Sequence, residues 1–336
     1  MNLQEKIIEA ISTKLEHEKD WRDKLATTLH LSKSTIYKRL NGITPFTPEE
    51  IGILITEFGI SFDGIVLQEH NNRVIFKVPP THQRISNFDE YLTGIENTFR
   101  PVEQFDNVQV FIMTRDLPLF YYFKDVDVAL FNLYVYGRFM WELDSCLKHP
   151  FSLNNMYLIP DIQKKISTIW DKYAELDTVE YWQSNALDVT LHQLQYFWEA
   201  GAIPAEEAFR VLDGLARIIS YAKNMTLLGF KNLNDKTKGG DVELYHNRIM
   251  SAENIILART DGQETLHIIL DPSRFIVTFD PMMTRTAQNT ISLARKNAYF
   301  LGEGSGNARE EFFNVMNRKI EQLKKKIELA TQVIGF

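Results

Sequence analysis

Apolar residues recur every three or four positions at the start of this 336-residue chain, at Leu3, Ile7, Ile8, Ile11 and Leu15. That spacing is one face of an amphipathic α-helix. A second short helix is predicted over 21–29, with Leu25, Ala26 and Leu29 turned inward. Ser32 can accept a hydrogen bond from a backbone amide of the turn it precedes, so it caps a third helix running to Leu40. Asn41-Gly42 ends that helix, because both types tolerate the left-handed backbone of a helix stop. Thr47-Pro48-Glu49-Glu50 opens a fourth: Thr caps, Pro occupies the first turn, and Glu50 lies three residues after the cap. Gly59 closes it.

Beyond residue 66 the pattern weakens and then changes. Val74 to Val78 reads as a strand stopped by Pro79-Pro80, and Phe88, Tyr91, Leu92, Ile95 and Phe99 have the spacing of a helix over 86–99 that connects or dimerises. Val108 to Met113 reads as a strand, and 119–123 as its continuation or successor. Long helices are predicted over roughly 125–147, 161–175, 183–200 and 204–226, followed by a polar loop at 231–241. Short period-two runs at 242–245, 254–258, 266–270 and 275–279 then read as strands, with Asp261-Gly262 as a hairpin turn. A helix over 283–296, a strand over 299–301 and a last helix over 307–332 complete the chain. The fold class expected is therefore multi-domain: an all-α domain at 1–66, a linker with a connecting helix at 67–104, and an α+β domain at 105–336 ending in a long helix.

Composition narrows the function classes. A net charge of −7 excludes a protein that coats nucleic acid or anionic membrane over its whole surface, but not a basic patch on one small domain. The lone cysteine, Cys146, cannot form an internal disulfide, which fits a reducing cytoplasm. The N-terminus is charged and helical, unlike a signal peptide. The most apolar run, 128–141, is interrupted by Asn132, Gly137 and Arg138 and is shorter than the ~20 residues that span a bilayer. The expectation is a cytoplasmic protein with no membrane partner.

The segment LATTLHLSKSTIYKRLNG holds the specific signal. Leu25, Ala26, Leu29, Leu31, Ile36 and Leu40 are its inward positions, and Ala26 is small enough for two helices to approach closely. Short polar and basic side chains fill the outward ones. Through Leu25-Ala26, Leu29, Leu31-Ser32, Ser34-Thr35-Ile36, Asn41-Gly42 and Phe58-Gly59-Ile60-Ser61-Phe62-Asp63, residues 5–66 resemble the repressor/Cro-type (XRE-like) helix-turn-helix family of bacterial regulators. The resemblance implies double-stranded DNA as partner. Lys33, Ser34 and Thr35 would reach base edges, Lys38 a phosphate or flanking base, and Arg22 a phosphate; Ser32, Tyr37 and Arg39 complete the DNA-binding set. Two departures stand out. His30 replaces the Gly usual in the turn, where a left-handed backbone costs more. Acids also outnumber bases over 1–66, although 22–39 holds five Lys and Arg against one acid, Asp23.

In the last helix, Phe313, Met316, Ile320, Leu323, Ile327, Ala330 and Ile334 alternate spacings of three and four. That is a coiled-coil repeat, read equally as a dimer seam or as packing on the helix's own domain. Gly302, Gly304 and Gly306 lie between a strand and a helix, read as a flexible linker rather than an anion loop. Aromatic residues crowd the middle, from Phe120 to Trp198, mainly as core, with a ligand pocket as the alternative. The eight histidines are scattered and none pairs with Cys146, so no catalytic residue, metal ligand or cofactor is expected. The function expected is a non-enzymatic, sequence-specific transcription regulator. It would bind an operator as a homodimer and sense a small-molecule or protein effector through its C-terminal domain. The alternative is a defence or stress effector, or an enzyme, whose head only targets or autoregulates.

Overall fold

Helices form where capping residues and apolar spacing coincide. In the computed structural model, residues 3–15, 20–58, 74–78, 85–105, 107–233, 239–248, 254–261 and 263–334 are described, and the chain divides into two units, Met1–Ile75 and Phe76–Phe336. The first unit holds α1 (Leu3–Leu15), α2 (Trp21–Thr28), α3 (Lys33–Leu40) and α4 (Pro48–Phe58). One buried cluster joins them, built from Ile7, Ile11, Leu25, Leu29, Ile36 and Leu54 among others. The α2–α3 turn runs through His30 in the left-handed region, at φ 55°. Leu31 N–H then donates to the Ala26 carbonyl at 2.9 Å, closing the corner.

Ser32 caps α3 by accepting from Thr35 N–H at 3.2 Å. Gly42, at φ +68°, terminates it: Gly42 N–H donates to the Arg39 carbonyl at 3.1 Å and Ile43 N–H to the Lys38 carbonyl at 2.9 Å. These two bonds are the paired closure of a left-handed helix stop. Thr47 and Glu50 exchange bonds as the sequence predicts: Glu50 N–H donates to Thr47 Oγ1 at 3.2 Å and Thr47 N–H to Glu50 Oε2 at 2.9 Å. From α1, Gln4 donates to the Arg39 carbonyl at 2.9 Å and accepts from Phe46 N–H at 2.9 Å, tying α1 to the α3–α4 connection. Residues 59–63, which carry the last part of the family resemblance, lie outside the described residues.

The second unit is a mixed seven-stranded sheet with helices on both faces, in the strand order β6-β5-β4-β1-β2-β3-β7. The strands are β1 (Gln109–Met113), β2 (Asp177–Trp182), β3 (Val242–His246), β4 (Ile255–Thr260), β5 (Gln263–Asp271), β6 (Arg274–Thr278) and β7 (Tyr299–Phe300). β1, β2 and β3 pair in parallel, and β4, β5 and β6 form an antiparallel meander beside β1. Alternate residues divide the core in two. Val110, Ile112 and Leu244 face a large helical layer, while Phe111, Met113 and Val179 face Ala287 and Ile291 on the other side.

That large layer contains α5 (Phe88–Asn97), α6 (Leu119–Tyr122), α7 (Val126–Phe139), α8 (Asp144–Leu147), α9 (Leu153–Tyr157), α10 (Ile162–Ala174), α11 (Asp188–Glu199) and α12 (Ala205–Leu228). The opposite face carries α13 (Pro281–Asn297), and the chain ends in the long α14 (Gly306–Ile334). None of the described helices is long and apolar enough to cross a membrane.

Several sequence expectations are corrected. α5 belongs to the second unit rather than to a linker, since Phe88, Tyr91, Leu92 and Ile95 are all buried in its core. Residues 119–122 are helical, and the stretch 74–78 makes only an isolated bridge, Lys77 with Val277. The predicted helix over 125–147 breaks into α7 and α8, where the chain folds back so tightly that a Cβ on Gly137 would lie 2.6 Å from Cys146 Sγ. β2 has no counterpart in the expectation, because five of its six residues are buried and no alternation marks it as a strand. It also makes the sheet centre parallel, with helical crossovers, where an α+β arrangement segregates strands from helices.

Candidate nucleic-acid interface and the interior of the second unit

The exposed side of α3 is set by its capping. With Ile36 buried, Lys33, Ser34, Tyr37 and Lys38 emerge together, Tyr37 at 67% exposure. Those positions are one helical face, since residues four apart lie one above the other. Arg22 is exposed at the start of α2, its guanidinium 5.1 Å from the Trp21 ring. Lys33 Nζ stands 2.6 Å from Asp23 Oδ2, so the acid of α2 partly neutralises the first cation of α3.

The remaining candidates have structural work. Ser32 Oγ shares hydrogen bonds with Ser34 Oγ at 3.0 Å and Thr35 Oγ1 at 2.9 Å, beside the cap itself. Thr35 is half-buried. Arg39 turns away from the outer face and pairs with Glu50: Nη2 donates to Oε1 at 3.0 Å, with side-chain exposures of 15% and 10%. It holds α3 to α4 through the same carboxylate that closes the cap of α4. The face that can meet a polyanion is therefore Arg22, Lys33, Ser34, Tyr37 and Lys38.

The stripe on α14 is occupied by the chain itself. Phe313, Met316, Ile320 and Ile327 are fully buried and Leu323 is 6% exposed. Ala330 is half-buried, and the Ile334 side chain lies outside the described residues. The helix is pinned along its flanks by Lys223–Glu310 at 2.7 Å, Lys319–Asp188 at 2.5 Å, Lys324–Asp213 at 2.8 Å and Lys326–Glu199 at 2.6 Å. A partner helix cannot use these apolar side chains while that packing holds. The Gly302–Gly306 segment is likewise fixed rather than loose: the buried Arg309 donates to the Leu301 and Gly302 carbonyls at 3.0 and 2.6 Å.

Two polar features inside the second unit went unseen in the sequence. Glu180, on β2, is completely buried and accepts four hydrogen bonds. Tyr121 donates at 2.9 Å, Trp182 Nε1 at 2.9 Å and Thr178 at 2.8 Å, and Tyr173 is the fourth donor. Burial, and then the Glu180 charge, push both phenols up, so they stay protonated and donate. Lys231, also completely buried, donates to the Leu176 carbonyl with its ammonium 4.9 Å from the Tyr173 ring. Burial pulls that ammonium down to about 8, opposed by the charges of Glu180, Asp177 and Asp241.

The second feature is a cavity of about 260 Å³ on the helical side of β1, β4 and β5. Aromatic rings such as Tyr91, Phe120, Tyr122 and Tyr136 line it. Asn132 and His267 open into it, and neither Asn132 Nδ2 nor His267 Nδ1 has a hydrogen-bond partner. Asn132 had one sequence signal, a polar residue interrupting an apolar helix; Glu180 and His267 had none.

Among the described residues no group of three or more His, Cys, Asp or Glu side chains could hold a metal ion. Comparison with family models, with curated proteins and with solved structures finds no match to this chain.

Proposed function

We propose that the protein is a sequence-specific, DNA-binding transcription regulator whose first unit is a helix-turn-helix head, with α3 as its reading helix. The observation that carries this reading is the exposed face of Lys33, Ser34, Tyr37 and Lys38 on a short helix, braced by α2 across a tight left-handed corner. An α-helix fits the B-DNA major groove, where hydroxyl and ammonium groups meet base-edge acceptors and cations meet phosphate. The head acts as a homodimer on a two-fold site, because one face with so few cations binds weakly alone. The second unit supplies dimerisation and senses an effector; it works by binding rather than by catalysis and needs no cofactor.

Footprinting of the full chain on DNA containing its own upstream region tests this. A protected site of two half-sites one helical turn apart is expected. Lys33→Ala with Ser34→Ala should weaken that site about 10- to 100-fold and leave non-specific binding nearly unchanged, while Lys38→Ala should weaken all sequences alike. No protected site, or variants that bind as the parent does, overturns the proposal.

A further inference from the structure

We infer that the cavity beneath α5 is a binding site for a small, uncharged, mainly apolar molecule of about one ring, carrying one hydrogen-bond acceptor and one donor. Its walls come from separate elements: Tyr91 of α5, Ile112 of β1, Asn132 and Tyr136 of α7, Ile256 of β4 and His267 of β5. At about 260 Å³ it is larger than the ~150 Å³ that houses a benzene ring. A substituted ring or a short branched chain fits.

Two polar atoms set the recognition. Asn132 is 4% exposed, and its Nδ2 is an unanswered donor. Buried amides without partners are uncommon, because the group has lost its water and gained nothing in return. His267 Nδ1 is the second unanswered atom. Burial pulls His267 down to about 4, against a hydrogen bond with the Ile256 backbone, so the ring is neutral at physiological pH and carries one N–H and one lone pair. A carbonyl or ether oxygen would answer Asn132, and a hydroxyl, which both donates and accepts, would answer His267. No Lys or Arg lines the cavity, whereas Asp116 and Asp271 do, which disfavours an anion. Asp271 is already engaged by Ser273 N–H and Oγ at 2.9 and 2.8 Å and by Arg274 at 2.5 Å, which lessens any call for a cation.

The inference deepens the reading of the second unit as a sensor, and it rests on that reading only for the consequence of binding. Titration of the full chain, without DNA, uses benzamide and benzyl alcohol as neutral probes, with benzoate and benzylamine as charged counterparts. The neutral probes are expected to bind saturably and to raise the Tm, and benzoate and benzylamine to bind at least 10-fold more weakly. Asn132→Leu should weaken benzamide about 10-fold, and Ala258→Phe, which fills the cavity, should abolish binding. Because a filled core can fail to fold, isoleucine-methyl NMR of the unaltered protein locates the probe as well. Shifts centred on Ile112, Ile256 and Ile269 support the site. Absence of neutral-probe binding, tighter binding of a charged probe, or shifts centred elsewhere overturns it. A probe that binds the cavity but leaves operator affinity unchanged removes the sensing role and leaves the site standing.

Discussion

Single side chains inside the second unit define its pH behaviour. Burial holds His267 at about 4 against an ordinary 6.5. Between those values the unfolded chain takes up a proton that the folded chain refuses. The contribution is therefore intact above pH 6.5, is lost progressively as the pH falls through the window, and levels off below about 4. A loss of about 2 kcal/mol between pH 7 and pH 5 follows from that shift, read as the change in urea-unfolding free energy of the second unit. His267→Phe should flatten this part of the profile; an unchanged slope would mean that the ring is already solvated. Such residues were poorly legible beforehand. Asn132 broke an apolar run, but Glu180 stands in a strand that sequence spacing did not reveal, and its four donors come from β2 itself and from two separate helices, α6 and α10. Only the folded topology brings them together.

Among elements, those defined by local chemistry were legible and those defined by tertiary packing were not. The Ser32 cap, the Thr47–Glu50 exchange and the Gly42 stop each involve residues within a few positions of one another, so the sequence contains the whole interaction. β2 is buried on both faces, which erases the alternation that marks a half-buried strand. The stripe on α14 is the instructive ambiguity. A heptad spacing is produced by any long helix lying along another, whether the neighbour belongs to the same chain or to a second one. Here the neighbour is the chain's own layer, with Ile320 and Ile327 fully buried. Ile320→Ala is accordingly expected to lower the stability of the second unit by about 2–5 kcal/mol, as a buried large-to-small change does. The oligomeric state seen by sedimentation should not change. A shift from dimer to monomer at unaltered stability would return the stripe to an intermolecular role.

At the scale of the whole molecule, the division at residues 75 and 76 separates two hydrophobic cores, so unfolding should proceed in two transitions. Glu180→Gln keeps the shape of the side chain but removes its charge and puts an amide N–H₂ where a carboxylate oxygen accepts two hydrogen bonds, so that donors must turn or lose their acceptor. It should lower the stability of the second unit by about 3 kcal/mol. In calorimetry it should shift one transition and leave the other in place; displacement of both would show that the cores melt as one. The two-part organisation was legible from the change of period along the chain. The boundary was not, because α5 looks like any amphipathic helix until its apolar face is seen to pack beside Tyr136 and Trp141.

The borders of the sheet carry one more consequence. At one border β6 is met by the backbone of Lys77, which exchanges hydrogen bonds of 2.6 and 2.9 Å with Val277; at the other, β7 is only two residues long. An uncovered, extended border is where foreign strands add and where fibrils start. Here one border is partly occupied from within, and the other offers almost no length for a strand to lie along. The fold thus resists growing by strand addition, and two copies that associate have to meet through helices or loops.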